Sequence, residues 1–201
     1  MTHAGPAPMH RLICLTGFMG SGKTTVGRLV AAQLGWHFLD LDTAIEQRAG
    51  LRIKEIFDRK GESAFRDIEH ECLSRILGWV AEQDTRLVLA LGGGTIAQLR
   101  NLELIHRYSA PHRLAAVIVW LDCPVEELLK RCVVMGDRPL FRDEAGFRML
   151  FEERLPHYRQ AEFRVEGHGE PARIAEQVLA LGVFERAGNL TAGSISPAEV
   201  A

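Results

Sequence analysis

Leu12-Ile13-Cys14-Leu15-Thr16-Gly17-Phe18-Met19-Gly20-Ser21-Gly22-Lys23-Thr24-Thr25 is the stretch on which the fold turns. Residues 17–24 satisfy Gly-x-x-x-x-Gly-Lys-Ser/Thr at every fixed position. The apolar run from Arg11 to Thr16 is short and closed by glycine, which predicts a buried strand. The apolar spacing from Thr24 to Leu34, stopped by Gly35, predicts a helix. Strand, glycine loop and helix in that order form a cradle for phosphate, because glycines let the backbone wrap closely. Consecutive N–H groups and the positive end of the helix then point at the anion. Gly20, Ser21, Gly22, Lys23, Thr24 and Thr25 are therefore the expected contacts to ATP. Lys23 suits the β- and γ-phosphates, and the Thr24 hydroxyl suits Mg²⁺. The alternative, a tight strand-to-helix turn with no nucleotide, is disfavoured by the complete pattern in its full context.

Working outward, a second strand is expected at Trp36 to Leu41, then helical segments at Thr43 to Ala49, Ile53 to Arg59 and Ser63 to Trp79, punctuated by Gly50 and Gly61. Leu87 to Leu91 reads as a strand closed by Gly92-Gly93-Gly94, and Leu114 to Leu121 as the clearest strand of all. Pro124 opens a helix reaching about Cys132, where a proline costs little because its missing N–H would be unpaired anyway. Gly136 to Asp143 is polar and reads as an exposed loop. Helix from Glu144 to Tyr158, a short strand at Phe163 to Glu166 and a helix from Ala172 to Leu181 complete the pattern. Strands alternating with helices imply an α/β fold of three layers, a five-stranded parallel sheet covered on both faces, with ligands at the carboxyl ends of the strands. Residues 11–185 are expected to form one domain, with a flexible segment at 1–10 and a disordered tail at 186–201.

The whole chain agrees with that frame. Its 201 residues suit a single domain, and 47% hydrophobic with 25% charged residues is ordinary for a globular protein. A formal net charge of −2 supplies no global positive field for nucleic acid or an anionic membrane, so neither is expected as a partner. Cys14, Cys72, Cys123 and Cys132 show no metal-ligand spacing with the eight histidines, and read as core residues of a reduced protein. The first ten residues lack a signal-peptide pattern and no apolar run is long enough to span a membrane; a cytoplasmic monomer is expected. Neither a guanine-specific Asn-Lys-x-Asp nor an apolar strand ending in a Walker B aspartate is evident, which favours a small-molecule kinase over a switch GTPase or motor. By period two, Asp40 and Asp42 are expected to share one face at the end of the second strand. Asp40 would help hold Mg²⁺ and Asp42 would orient an acceptor hydroxyl, although Asp42 could also serve as a helix cap before Thr43.

Several further motifs follow the phosphate loop in order: FLDLD at 38–42, IKEIFDRKGESAFRDIE at 53–69, LGGGT at 91–95, RPLF at 138–141 and RLPHY at 154–158, with Ala161 beyond. Together with GFMGSGKTT they resemble the shikimate kinase family over about Leu12 to Val178. Those enzymes are P-loop kinases that move the γ-phosphate of ATP onto the 3-hydroxyl of shikimate in aromatic amino acid biosynthesis. The resemblance implies that Asp42, Arg66, Gly93 and Arg154 contact shikimate, flanked by Gly92 and Gly94, while Ile53, Phe57 and Phe65 shape an apolar wall. It places substrate binding at about 43–78 and a lid at about 133–143, whose Arg138 faces the phosphates. Arg131 falls where the family sets an arginine against adenine, and Pro171 where a loop closes its other side. The chemistry is compatible: one carboxylate and three hydroxyls on a small ring want guanidinium forks, an accepting carboxylate and a backbone that can approach closely. Arg66 could instead pair with Glu62, Asp67 or Glu69, Arg131 could be a solvated residue near a helix end, and the triple glycine could be merely permissive. Leu41 departs from the small or polar residue many relatives carry there, and is expected to point away from the ligands.

A gluconate-type sugar-acid kinase would share the loop and size, but not FRDIE, GGG and RLPHY together. A nucleoside monophosphate kinase would need a base pocket, and a nucleotide-binding regulatory module would not need acceptor arginines.

Overall fold

The computed structural model describes residues 10–110, 114–135 and 143–184. β1 (Leu12–Thr16) lies between β3 (Leu87–Ala90) and β4 (Ala116–Asp122), with β2 (His37–Asp40) outside β3 and β5 (Phe163–Glu166) outside β4. All neighbours are parallel, giving the order β2-β3-β1-β4-β5. The central strands read as unbroken apolar runs because both faces are covered. Along β1, Leu12 and Cys14 enter one core cluster while Ile13 and Leu15 enter the other, all fully buried. Each such aliphatic contributes about 1.5–3 kcal/mol relative to exposure. α3 (Ile53–Glu82), α4 (Leu99–Arg107) and α6 (Glu144–Tyr158) supply the first cluster; α1 (Lys23–Leu34) and α7 (Pro171–Leu179) pack on the second.

Two local expectations change. β2 ends at Asp40 and α2 (Leu41–Ala49) starts at once, so Asp42 lies in the first turn of a helix and not on the strand. The two helical segments expected on either side of Gly61 are both present within α3, divided by a kink where Gly61 leaves helical geometry at φ 79°, ψ 172°. Between the triple glycine and β4 a short 3₁₀ turn (Thr95–Ala97) leads into α4, neither of which was anticipated. α5 (Val125–Met135) runs past Cys132. Residues 1–9, 136–142 and 185–201 lie outside the described residues, and with them Arg138, most of the expected lid and the tail. His10, the last residue of the segment expected to be flexible, bridges in parallel to Phe184.

Cys14, Cys72 and Cys123 are buried in the core; burial pushes the thiols of Cys14 and Cys72 up, Cys72 to about 11. Leu41 is fully buried in the core and lines neither of the two cavities described below. Among the described residues no helix is long and apolar enough to cross a membrane.

Candidate active site

The phosphate loop joins β1 to α1 at the carboxyl end of the sheet's central strand. Gly22 caps α1 in the left-handed region, φ 91° and ψ 11°, where a side chain would strain the backbone. No side chain caps the first turn of the helix, an arrangement that suits an anion at its positive end. Lys23 Nζ donates to the carbonyls of Gly17 at 2.8 Å and Phe18 at 3.0 Å, and lies 3.4 Å from Ser21 Oγ. The cavity above the loop is lined by Gly20 to Val26, Asp40, Asp42 and Gly93. Across it stand Arg131 on α5 and Pro171 at the start of α7, so both expected adenine neighbours face the same space as the phosphate loop. Arg131 is held by the Gly20 carbonyl at 3.3 Å and Glu127 at 3.4 Å.

Asp40 explains why strand passes directly into helix. Its Oδ1 accepts from the amides of Asp42 at 3.0 Å and Thr43 at 3.3 Å, capping α2, while Oδ2 accepts from Thr24 Oγ1 at 2.6 Å. The cap considered for Asp42 therefore belongs to Asp40. Period two does not bring the two acids together; the first turn of α2 does, and both line the phosphate cavity.

A second cavity adjoins the first and shares Asp42 and Gly93 with it. Its apolar wall includes Ile53, Phe57 and Phe65, the two rings 4.7 Å apart and tilted by 37°. Phe18, Met19 and Leu150 also line it, none of which the sequence reading assigned to the acceptor. Arg66 on α3 and Arg154 on α6, each only 7% exposed, reach this cavity beside Gly92 to Gly94. Arg66 bonds to Glu62 at 3.0 Å and to Glu69 at 3.1 Å. The ion pairs considered as an alternative thus exist, yet Arg66 still faces the cavity. Glu69, fully buried, also accepts from Thr95 Oγ1 at 2.7 Å. Its importance was legible only as the three-residue spacing from Arg66, one turn along a helix.

Arg154 is less satisfied. Its Nε and Nη1 are buried without a hydrogen bond, and the exposed Glu153 carboxylate comes no closer than 3.8 Å. Burying donors of a charged group without an acceptor is costly, so this guanidinium is suited to an anionic ligand. Gly94 makes room for it: a Cβ there would lie 2.2 Å from Arg154 Nη1 and 2.9 Å from Arg66 Nη2. At Gly92 a Cβ would meet Asp42 Oδ1 at 2.9 Å. β4 does end in an aspartate, Asp122, but its carboxylate is held by Arg164 at 2.7 Å and does not line the nucleotide cavity.

Two cavities that meet across one carboxylate and one glycine are what group transfer requires, and the loop on the donor side makes the chain a P-loop phosphotransferase of the small-molecule kinase class. The comparisons narrow this. A family model described as shikimate kinase matches residues 19–181. A shikimate kinase of Gloeobacter violaceus is 43% identical over 82% of this chain and 88% of its own length, and one of Persephonella marina 39% identical over 84% and 97%. The solved shikimate kinase of Acinetobacter baumannii in complex with shikimate superposes with TM-score 0.74 at 36% identity, covering 87% of this chain and 93% of that one. The chain belongs to the shikimate kinase family.

Proposed function

We propose that the chain transfers the γ-phosphoryl group of ATP to the 3-hydroxyl of shikimate, yielding ADP and shikimate 3-phosphate. The observation that carries the acceptor is Arg154, buried with two N–H groups unbonded beside Arg66, in a cavity whose wall with the phosphate site is Asp42 and Gly93. A planar guanidinium with open donors suits a carboxylate, which a neutral sugar lacks. Ile53, Phe57 and Phe65 give the ring an apolar face, and the Gly92 to Gly94 backbone lets it approach.

In the transfer, the acceptor oxygen attacks the γ-phosphorus, the bond to the bridging oxygen breaks, and ADP leaves. Asp42 orients the hydroxyl and takes its proton. Lys23 neutralises charge on the β- and γ-phosphates, and the amides of Gly20 to Thr25 hold the phosphate chain. Arg138, which lies outside the described residues, adds charge at the phosphates, while Arg131 and Pro171 hold adenine. The Thr24 hydroxyl and Asp40 carboxylate, hard oxygen donors 2.6 Å apart, fit Mg²⁺, which takes few protein ligands and the rest from phosphate and water. When bound, Mg²⁺ supplies charge neutralisation at the phosphates. Residues 11–185 act as one cytoplasmic, monomeric unit, with about 43–78 as its substrate-binding region.

The test is product formation from Mg-ATP with shikimate, gluconate or AMP as acceptor. Only shikimate should give ADP together with a phosphorylated acceptor; equal ATP turnover without it, or with gluconate, refutes the reading.

A further inference from the structure

Tyr158 is the last residue of α6 and closes the RLPHY stretch. Its ring is almost wholly buried and its hydroxyl donates to the Gly93 carbonyl at 2.5 Å. Burial pushes that hydroxyl's ionisation above its ordinary range, so it remains a donor across any assay pH.

The three glycines have no side chains with which to fix their own peptide planes. Backbone bonds hold two of their carbonyls: Thr95 N–H reaches Gly92 O at 3.1 Å and Ala97 N–H reaches Gly94 O at 3.2 Å. The Gly93 carbonyl is held by Tyr158. Because a trans peptide is planar, with C=O and N–H opposed, turning the Gly93 carbonyl toward Tyr158 turns the Gly94 N–H the other way. Tyr158 also follows Arg154 by four residues, one helical turn, so the two share a face of α6. That face brings the hydroxyl to Gly93 and the guanidinium to Gly94. Behind it, Trp120 of β4 stacks on the Tyr158 ring at 6.0 Å and 26°. The Arg164 guanidinium lies 5.4 Å from the Trp120 ring centre.

We infer that Tyr158 is a positioning residue for the acceptor: its hydroxyl sets the Gly93 to Gly94 peptide and registers α6 on the glycine loop, so that Arg154 meets the acceptor's anionic group. This rests on reading the second cavity as the shikimate site.

Tyr158→Phe removes the hydroxyl and keeps the ring. With wild-type and variant proteins at full length, steady-state kinetics should show kcat/KM for shikimate falling about 10- to 100-fold, chiefly through KM, the scale of an unmet buried hydrogen bond. Binding of Mg-ATP to the shikimate-free protein should change by less than about twofold, since Arg154 and Gly94, which Tyr158 positions, line the acceptor cavity and not the phosphate one. Amide hydrogen exchange should quicken over residues 92–97 and not across the sheet. Shikimate constants within twofold of wild type, or equal losses for both substrates, overturn the inference. Uniformly faster exchange overturns it too, by reducing Tyr158 to a general core residue. If wild type fails to phosphorylate shikimate, the functional reading falls, and exchange over residues 92–97 still decides whether Tyr158 anchors the loop.

Discussion

Gly94→Ala tests the acceptor site with a single methyl group. Gly94 has φ −115° and ψ 2°, a conformation alanine adopts, so the backbone need not move. The new Cβ would stand 2.2 Å from Arg154 Nη1 and 2.9 and 3.0 Å from the terminal nitrogens of Arg66. Ordinary contact begins near 3.4 Å, so the Arg154 guanidinium must retreat by about 1.2 Å, the difference between 3.4 and 2.2 Å. A charge-assisted bond near its usual length of about 2.8 Å becomes about 4 Å and is lost. With such a bond worth about 1.5–3 kcal/mol, losing it and weakening the Arg66 contact costs about 2–4 kcal/mol. That is roughly 30- to 900-fold in kcat/KM for shikimate. Only flexible side-chain ends collide, so the melting temperature should hardly shift. Gly94 does not line the nucleotide cavity, so Mg-ATP affinity should stay within about twofold. A coupled assay varying each substrate, with calorimetric ATP binding, reads both. Shikimate kcat/KM within threefold of wild type would refute the proposed guanidinium clamp.

Further expectations follow from the same geometry. Lys23→Met should lower kcat by orders of magnitude in a protein that still melts cooperatively; a near-normal kcat removes Lys23 from the chemistry. Asp42→Asn should depress kcat far more than ATP affinity, whereas a collapse of Mg-ATP binding would move Asp42 to the metal. Arg154→Lys keeps charge but not the planar fork, and should cost about 1–3 kcal/mol in shikimate kcat/KM, roughly five- to 150-fold. The methyl ester of shikimate should lose much less on that substitution, and equal losses for acid and ester would place Arg154 elsewhere. The buried thiols of Cys14 and Cys72 titrate above their ordinary value, Cys72 near 11. Their contribution is complete below about pH 9 and is lost as pH rises toward 11, because the unfolded thiol ionises first, by up to about 1.4 kcal/mol per pH unit each. Urea unfolding from pH 8 to 11 should show the fall, and an equally steep fall in Cys72→Ala would exclude Cys72 as a source.

Much of this site was legible because its parts are local in sequence. The phosphate loop needs adjacent residues, and the strand before it and helix after it each follow from a few apolar spacings. What the sequence left unread was decided by side chains meeting across the fold. Asp40 and Asp42 looked like strand neighbours, since nothing in FLDLD reveals that the first acid would cap a helix starting immediately after it. α4 has Leu102 and Ile105 at helical spacing, but no side-chain cap marks its start after the triple glycine. Arg66 was ambiguous between ion pair and ligand because, once folded, it faces both Glu69 and the cavity. The orphaned nitrogens of Arg154 depend on which helix covers them, which spacing alone does not report.

Asp40 divides its two oxygens between tasks: one begins α2, and the other holds Thr24 in the wall of the phosphate cavity. The two halves of the site are consequently not equally open to revision. The part of the acceptor wall carried by α3, Ile53, Phe57 and Phe65, could be rewritten for another substrate without touching the donor side. The start of α2 could not, because the one Asp40 carboxylate that places Asp42 also holds the Thr24 hydroxyl. Substrate range is a modular trait in this architecture, while the distance between donor and acceptor is inherited as a single piece.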